Sequence, residues 1–440
     1  MATKKLAKKK SKPLANAPHA GPSNPPPASA GSIRIRMYNV GFGDCFLITI
    51  PGQPKDRRIL IDCGTVSAGP QPMSDIVAKV IQDCADSDGK SRIDVVVATH
   101  RHKDHVSGFA DASWKNVEVS EVWMPWTEDR TDPAAKRIRD VQSKLALALR
   151  ERFAQFKATP ATSPLDLARV EQLDGLMLNA LSNEKAMDTL HGGFGGESKL
   201  RFMPREDDKQ MSFETGALPG VTIFVLGPSH DPEVIRDMDP PSGKSYLRIA
   251  DGLALDGLPE PFRPAWHVPE NAYAEMFAGL PASDLNFEDK LRLQQLGSDM
   301  ELTVASALDK AVNGTSLMLV LKVGATHLLF PGDAQWGTWQ AALKNPEARA
   351  LMQKAKFYKI GHHGSHNATP KEFVDEIMGD EILSMVSTKP GTYNNVPRGP
   401  LLEALASHHA HIARSDKLDE VPAGFIVEGE LCADLTIPIT

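Results

Sequence analysis

An apolar, β-branched run, Ile93-Asp94-Val95-Val96-Val97-Ala98, leads directly into Thr99-His100-Arg101-His102-Lys103-Asp104-His105. The run reads as a buried strand. Three imidazoles and one carboxylate then fall within six residues. Val106-Ser107-Gly108 follows, a small-residue segment where a helix can begin. This places a cluster of polar donors on the loop at the carboxyl end of a strand. It constrains the chain to an α/β architecture, in which sites gather at such strand ends.

The residue types fit one kind of chemistry. Imidazole and carboxylate are the usual ligands of a divalent metal that performs hydrolysis. On a tight turn alternate residues point to one side, so His100 and His102 can share one ion. Asp104 and His105 can then face a second ion about 3.5–4 Å away, a spacing at which two metals clamp a displacement reaction. The plain alternative is a surface loop that happens to be rich in histidine.

Composition bounds what surrounds this cluster. The chain has 440 residues, 41% hydrophobic and 24% charged, with a formal net charge of −7. These are ordinary values for a soluble globular protein. The acidic average argues against a general nucleic-acid binder but allows a local basic groove. No apolar run approaches the roughly 18 residues of a membrane span, so no membrane role is expected. Four cysteines, Cys45, Cys63, Cys84 and Cys432, are sparse and lack metal-finger spacing. That suits free thiols in a reducing compartment and a cytoplasmic location.

Residues 1–31 read as a disordered tail: six lysines fall in the first twelve residues, and Pro, Ala, Ser and Asn follow. Such a segment cannot bury a core and lacks the apolar stretch of a secretory signal. It serves to solubilise the chain or as a weak arm for a polyanion. Residues 32–440 read as a single domain. Ile33, Ile35 and Met37 alternate with Arg34 and Arg36, as in a half-buried strand. Strands at 45–50 and 58–61 complete a β-meander that ends at Asp62-Cys63-Gly64. Met73, Ile76, Val77, Val80 and Ile81 have helical spacing, and another strand is expected at 118–123. Residues 131–200 read as a helical insertion with helices over 138–156 and 164–190 and a flexible glycine loop at 192–196. A second insertion spans 230–312. The insertions are candidates for a lid or a substrate-binding wall.

A compact block then returns. The strand at 221–228 precedes the second insertion; after it, strands at 316–321 and 327–330 lead to Pro331-Gly332-Asp333, a carboxylate at a strand end, well placed to bridge two metals. The strand near 356–360 ends at Gly361-His362-His363-Gly364-Ser365. Glycines on both sides let the backbone turn so that His362 or His363 points into a site. Lys359 reads as a strand residue on the solvent face, and Ser365 as a turn residue or a contact to a substrate oxygen. Short strands near 382–387, 411–414, 424–428 and 434–439, with a helix near 399–408, would close the second half of a sandwich.

Thr99–His105 resembles the signature of the metallo-β-lactamase superfamily. Further resemblances lie in Gly43-Asp44, Ile61-Asp62-Cys63-Gly64, Asn313-Gly314-Thr315-Ser316-Leu317, Phe330-Pro331-Gly332-Asp333 and Lys359–Ser365. These motifs are most similar to the hydrolase domain of ComEC-type competence proteins and their stand-alone relatives, and cover roughly half of the chain. The resemblance implies a four-layer αββα sandwich with two divalent metal ions, zinc first, with manganese or iron also suited to a mixed His and carboxylate site. It implies that Asp62 supports the metal loop from behind. His102 departs from the ComEC-type pattern, which has Asp there. The wider family draws a further His for the first metal from mid-chain; His230, after a strand end, and His191, in the glycine loop, are the candidates. The transmembrane channel of the competence proteins is absent from this sequence.

Taken together, these readings give a metal-dependent hydrolase. His100 and His102 hold one metal, Asp104 and His105 a second, Asp333 bridges, and His362 or His363 completes the set. Asp104 can also shuttle a proton. Water activated at the metals attacks a phosphorus or carbonyl centre, and no side-chain nucleophile is required. The resemblance implies a phosphodiesterase or nuclease acting on nucleic acid or nucleotides. The alternatives are hydrolysis of a small ester, lactone, thioester or amide, or a non-catalytic interaction protein on the same scaffold.

Overall fold

Two β-sheets face each other across one apolar layer. The computed structural model of the protein describes residues 31–157, 183–205, 211–241, 243–246, 308–393 and 396–440. The tail through residue 30 lies outside the described residues. So do most of the expected helix at 164–190 and most of the expected insertion at 230–312.

The first sheet has eight strands. Their spatial order is Phe425–Glu428, Cys432–Pro438, Ser32–Tyr38, Cys45–Ile50, Arg57–Cys63, Arg92–Val97, Glu118–Pro125 and Lys199–Met203. The second has seven, in the order His411–Arg414, Leu383–Val386, Ala355–Lys359, Thr326–Phe330, Met318–Val323, Val221–Gly227 and Ser212–Phe213. Strand alternation sorts the side chains. Ile33, Ile35, Ile48, Ile59 and Val95 of the first sheet meet Leu319, Leu321, Leu328 and Phe357 of the second. Phe46 and Phe330 touch across the gap, ring centres 6.4 Å apart.

The alternate residues on each sheet face outward and are equally apolar, so each outer face needs its own cover. Leu47, Leu60 and Val96 pack under Ile76, Val77 and Val80 of the helix Met73–Asp83. Met318, Val320, Leu329 and Tyr358 pack under Trp339 and Leu343 of the helix Trp336–Lys344 and under Leu401 and Leu405 of the helix Gly399–Ser407. The result is the four-layer αββα sandwich of the metallo-β-lactamase fold.

Three local expectations change. The last two strands, Phe425–Glu428 and Cys432–Pro438, join the first sheet instead of closing the second. Ile33 pairs with Ile437 and Ile35 with Leu435, which puts all four on the inner face. The helical insertion ends earlier than residue 200, because Lys199–Met203 runs parallel to Glu118–Pro125 as the sheet edge. Its expected first helix is present as Pro133–Lys157. The glycine segment 192–196 is docked, not a flexible loop. Phe194 is buried against Trp114 and Phe109, and the Gly195 amide donates to the Val117 carbonyl at 2.8 Å.

Both sheets contain parallel strands. In the first these are Arg57–Cys63, Arg92–Val97, Glu118–Pro125 and Lys199–Met203. In the second they are Thr326–Phe330, Ala355–Lys359, Leu383–Val386 and His411–Arg414. The segments holding His100–His105, Asp333 and His362-His363 follow the carboxyl ends of three of them, so one site draws on both sheets.

Candidate metal centre

The loop that leaves Arg92–Val97 is fixed from below. Asp62 sits in the left-handed region (φ 56°) near the end of its strand. Its carboxylate accepts hydrogen bonds from the Thr99 amide and the Thr99 hydroxyl, both at 2.7 Å. It also lies 2.8 Å from His105 Nδ1. These are the contacts of a carboxylate that braces the loop from behind. The neighbouring turn presses equally close. The Asp44 amide donates to the Asp104 carbonyl at 2.9 Å. A Cβ on Gly43 would stand 2.2 Å from the Gly64 carbonyl and 2.6 Å from that of Asp104, so only glycine fits there.

The second sheet brings the other donors. Asp333 follows the strand Thr326–Phe330. The segment Gly361–Gly364 holds two successive non-glycine residues at positive φ, His362 (46°) and His363 (53°). Such residues cost of order 1–3 kcal/mol each and persist only where the surroundings hold them. Here the His362 amide donates to Asp333 Oδ1 at 3.0 Å, and the Ser365 amide to the His362 carbonyl at 2.8 Å. The kink sends His363 inward and leaves His362 at the margin.

Asp104, His105, Asp333 and His363 converge: one donor atom from each lies within 4.8 Å of all the others. His105 Nε2 is 3.1 Å from Asp333 Oδ2, and His363 Nε2 is 3.2 Å from Asp104 Oδ2. Beside this group His100 Nε2 and His102 Nδ1 face each other at 3.2 Å. The His100 and His105 rings lie 4.1 Å apart, which joins the two groups.

Three of these imidazoles turn one nitrogen to the cluster and the other to a hydrogen-bond partner outside it: the Thr99 hydroxyl for His100 (3.2 Å), Asp62 for His105 (2.8 Å) and the Ser387 carbonyl for His363 (2.9 Å). The outer nitrogen of His102, Nε2, is buried without such a partner among the described residues, 3.5 Å from Asp309 Oδ1. Metal-binding histidines are oriented in this way. Asp104 Oδ1 is buried and has no hydrogen-bond partner among the described residues. A buried carboxylate oxygen so placed needs a cation or a donor. The donor set and this oxygen fit a divalent pair.

The electrostatics agree. Burial, then the neighbouring rings of His105 and His102, hold His100 well below the ordinary histidine range. His102 is pushed down to about 4, chiefly by burial. Both offer neutral lone pairs. Burial opposes the charge on His105, but Asp333, Asp62 and Asp104 outweigh it and raise its pKa. Burial works against the Asp333 carboxylate too, yet His105, His362 and Lys359 hold it well below the usual range.

Other expected residues stand apart. Both ring nitrogens of His191 are engaged, with the Met187 carbonyl at 2.7 Å and the Glu128 carbonyl at 3.1 Å. His230 stacks on Trp126, ring centres 4.4 Å apart, and its Nε2 meets the Pro204 carbonyl at 2.9 Å. Neither joins the cluster. His362 Nε2 lies 3.9 Å from Asp333 Oδ2, outside the converging group, and its Nδ1 faces Asn367 Oδ1 at 3.2 Å. Its side chain is 22% exposed, against 0% for His363. The Ser365 hydroxyl donates to Asn367 Oδ1 at 2.9 Å.

Lys359 does not face solvent. It is buried under the site, ion-paired with Asp44 and 3.5 Å from Asp333 Oδ1. A strand covered on both faces leaves it no path outward, and the carboxylates supply its partners. Asn313 is another residue that sequence reasoning did not place at the cluster. It is buried, with Oδ1 2.8 Å from His102 Nδ1. Both were visible as parts of motifs; the available signal was a polar residue set directly against an apolar strand.

The family model of the Metallo-beta-lactamase superfamily matches residues 38–177. No curated protein matches the chain. The matched stretch contains Asp62 and His100–His105, whereas Asp333, His362 and His363 lie beyond it. Members of that superfamily are largely metal-dependent hydrolases and typically bind divalent metals. Among the described residues no helix is long and apolar enough to cross a membrane.

Proposed function

We propose that the protein is a hydrolase with a dinuclear metal centre, acting on a phosphodiester of nucleic acid or a nucleotide. The observation that carries the reading is the convergence of Asp104, His105, Asp333 and His363 beside the pair His100 and His102. His100 and His102 hold one cation, Asp104, His105 and His363 the other, and Asp333 lies between. A divalent pair so held supplies hydroxide near neutral pH and offsets charge that develops on the substrate. Asp62 and the Ser387 carbonyl keep the imidazoles of His105 and His363 in register.

The phosphodiester substrate rests on the resemblance of Thr99–His105, Phe330–Asp333 and Lys359–Ser365 to the ComEC-type branch.

The test is turnover of bis(p-nitrophenyl) phosphate, linear DNA and a lactone panel with manganese or zinc, beside His102→Ala and Asp333→Ala. Metal-dependent phosphodiester cleavage, lost in both variants, is expected. Lactone or ester turnover without phosphodiester cleavage would replace the substrate class. Two bound ions with no turnover would favour an interaction protein on this scaffold, and a chain that binds no metal would refute the reading.

A further inference from the structure

We infer that Asn313 supplies, through Oδ1, a further protein donor, beyond the shared Asp333, to the cation held by His100 and His102, where a further histidine was expected. The inference rests on the dinuclear reading above and assigns a residue that reading leaves open. His191 and His230 are both committed to backbone carbonyls elsewhere. The gap they leave is filled by Asn313.

The geometry identifies which atoms face the cation. His100 Nε2 lies 3.2 Å from His102 Nδ1, and Asn313 Oδ1 lies 2.8 Å from that same Nδ1. Three lone-pair atoms therefore crowd together, as they do around a shared ion with ligand bonds of about 2.0–2.2 Å. A mere hydrogen-bonding role for Asn313 would leave the opposite nitrogen of His102 to bind metal. That nitrogen, Nε2, is buried with no hydrogen-bond partner among the described residues, 3.5 Å from Asp309 Oδ1, but it is Nδ1 that stands beside His100 Nε2 and can share an ion with it. Asn313 itself is fixed: it is 1% exposed, its carbonyl accepts from the Ser316 amide at 3.0 Å, and its Nδ2 lies 3.4 Å from His362 Nε2. An amide oxygen in place of an imidazole makes this half of the centre harder, which favours manganese relative to a three-histidine site.

The test counts and characterises bound ions in the full chain, using Zn²⁺ and Co²⁺ as probes. Wild type is expected to hold two ions per chain after gel filtration. Asn313→Ala is expected to retain one, with the other weakened about tenfold or more in competition titration. Asn313→Asp and Asn313→His are expected to hold two, and Asn313→His to shift the cobalt d–d bands by exchanging oxygen for nitrogen. Thermal unfolding in EDTA identifies variants that fold as wild type does, and the aspartate and histidine variants carry the test if the alanine variant fails to fold. Asn313→Ala with two ions at wild-type affinity, or Asn313→His with an unchanged cobalt spectrum, would overturn the assignment. A wild-type chain with no ion would instead overturn the dinuclear reading.

Discussion

Replacing Lys359 by Met removes one charge from beneath the cluster and little else. The lysine is 2% exposed, and its ammonium is ion-paired with Asp44 and lies 3.5 Å from Asp333 Oδ1. Burial opposes that charge, but Asp44 and Asp333 outweigh it and raise its pKa. Met retains most of the stem, so the packing change costs under about 1.5 kcal/mol. The larger effect is on Asp44, which is 1% exposed and would lose its ammonium partner, keeping only the imidazoles of His105 and His363 at 3.7 Å. Removing one partner of such a pair costs about 3–5 kcal/mol, a large share of a total stability of about 5–15 kcal/mol. Urea unfolding in EDTA should show this loss. Asp44→Asn in the same background should restore about 2–3 kcal/mol, because the two residues act as a unit. Divalent metal should narrow the gap between Lys359→Met and wild type, since added cations balance the same carboxylates. A Lys359→Met protein within about 1 kcal/mol of wild type, or strictly additive single variants, would refute the buried pair.

Asp62→Ala removes the acceptor of two Thr99 hydrogen bonds and the partner of His105 Nδ1; metal affinity should fall about 10–100-fold, read by competition with a chelator, and unchanged affinity would remove its bracing role. His363→Ala should cost one bound ion while His362→Ala keeps both and loses turnover, and the reverse result would exchange their roles. The raised pKa of His105 means that the cation-free protein holds a proton there at neutral pH. A cation at Nε2 must displace it, so affinity should rise with pH up to that group's free-state value and fall below it. Calorimetric titration in buffers of different ionisation heat checks this, and identical heats in all buffers would contradict it.

The site was legible where donors sit together in sequence or at strand ends. Thr99–His105, Asp333 and the His362-His363 pair need only local patterns, and the choice between the two histidines needed the positive φ at both. Asn313 was opaque for a different reason. Its partner His102 is 211 residues away, and an asparagine before a strand looks like a turn residue. Lys359 was misread because period-2 alternation assigns a charged residue to water, while a strand covered on both faces has no wet side. In the fold, the strand positions were clear from apolar runs. The pairing of the last strands with the first was not, since Ile437 and Leu435 suit either sheet by hydrophobicity alone.

That pairing has a consequence for how the chain is made. Arg36 on the strand Ser32–Tyr38 binds Asp434 on the strand Cys432–Pro438, at 2.9 and 2.6 Å, across 398 residues of sequence. At synthesis rates of about 5–20 residues per second, roughly 20–80 s separate the emergence of the two. During that interval Ser32–Tyr38 has an unpaired edge, and Arg36 lacks a counter-charge that it holds in the finished protein. Contacts of such sequence separation also form slowly once both partners exist. The nascent chain therefore carries an adhesive strand edge until Cys432–Pro438 arrives, a period in which chaperone capture competes with self-association.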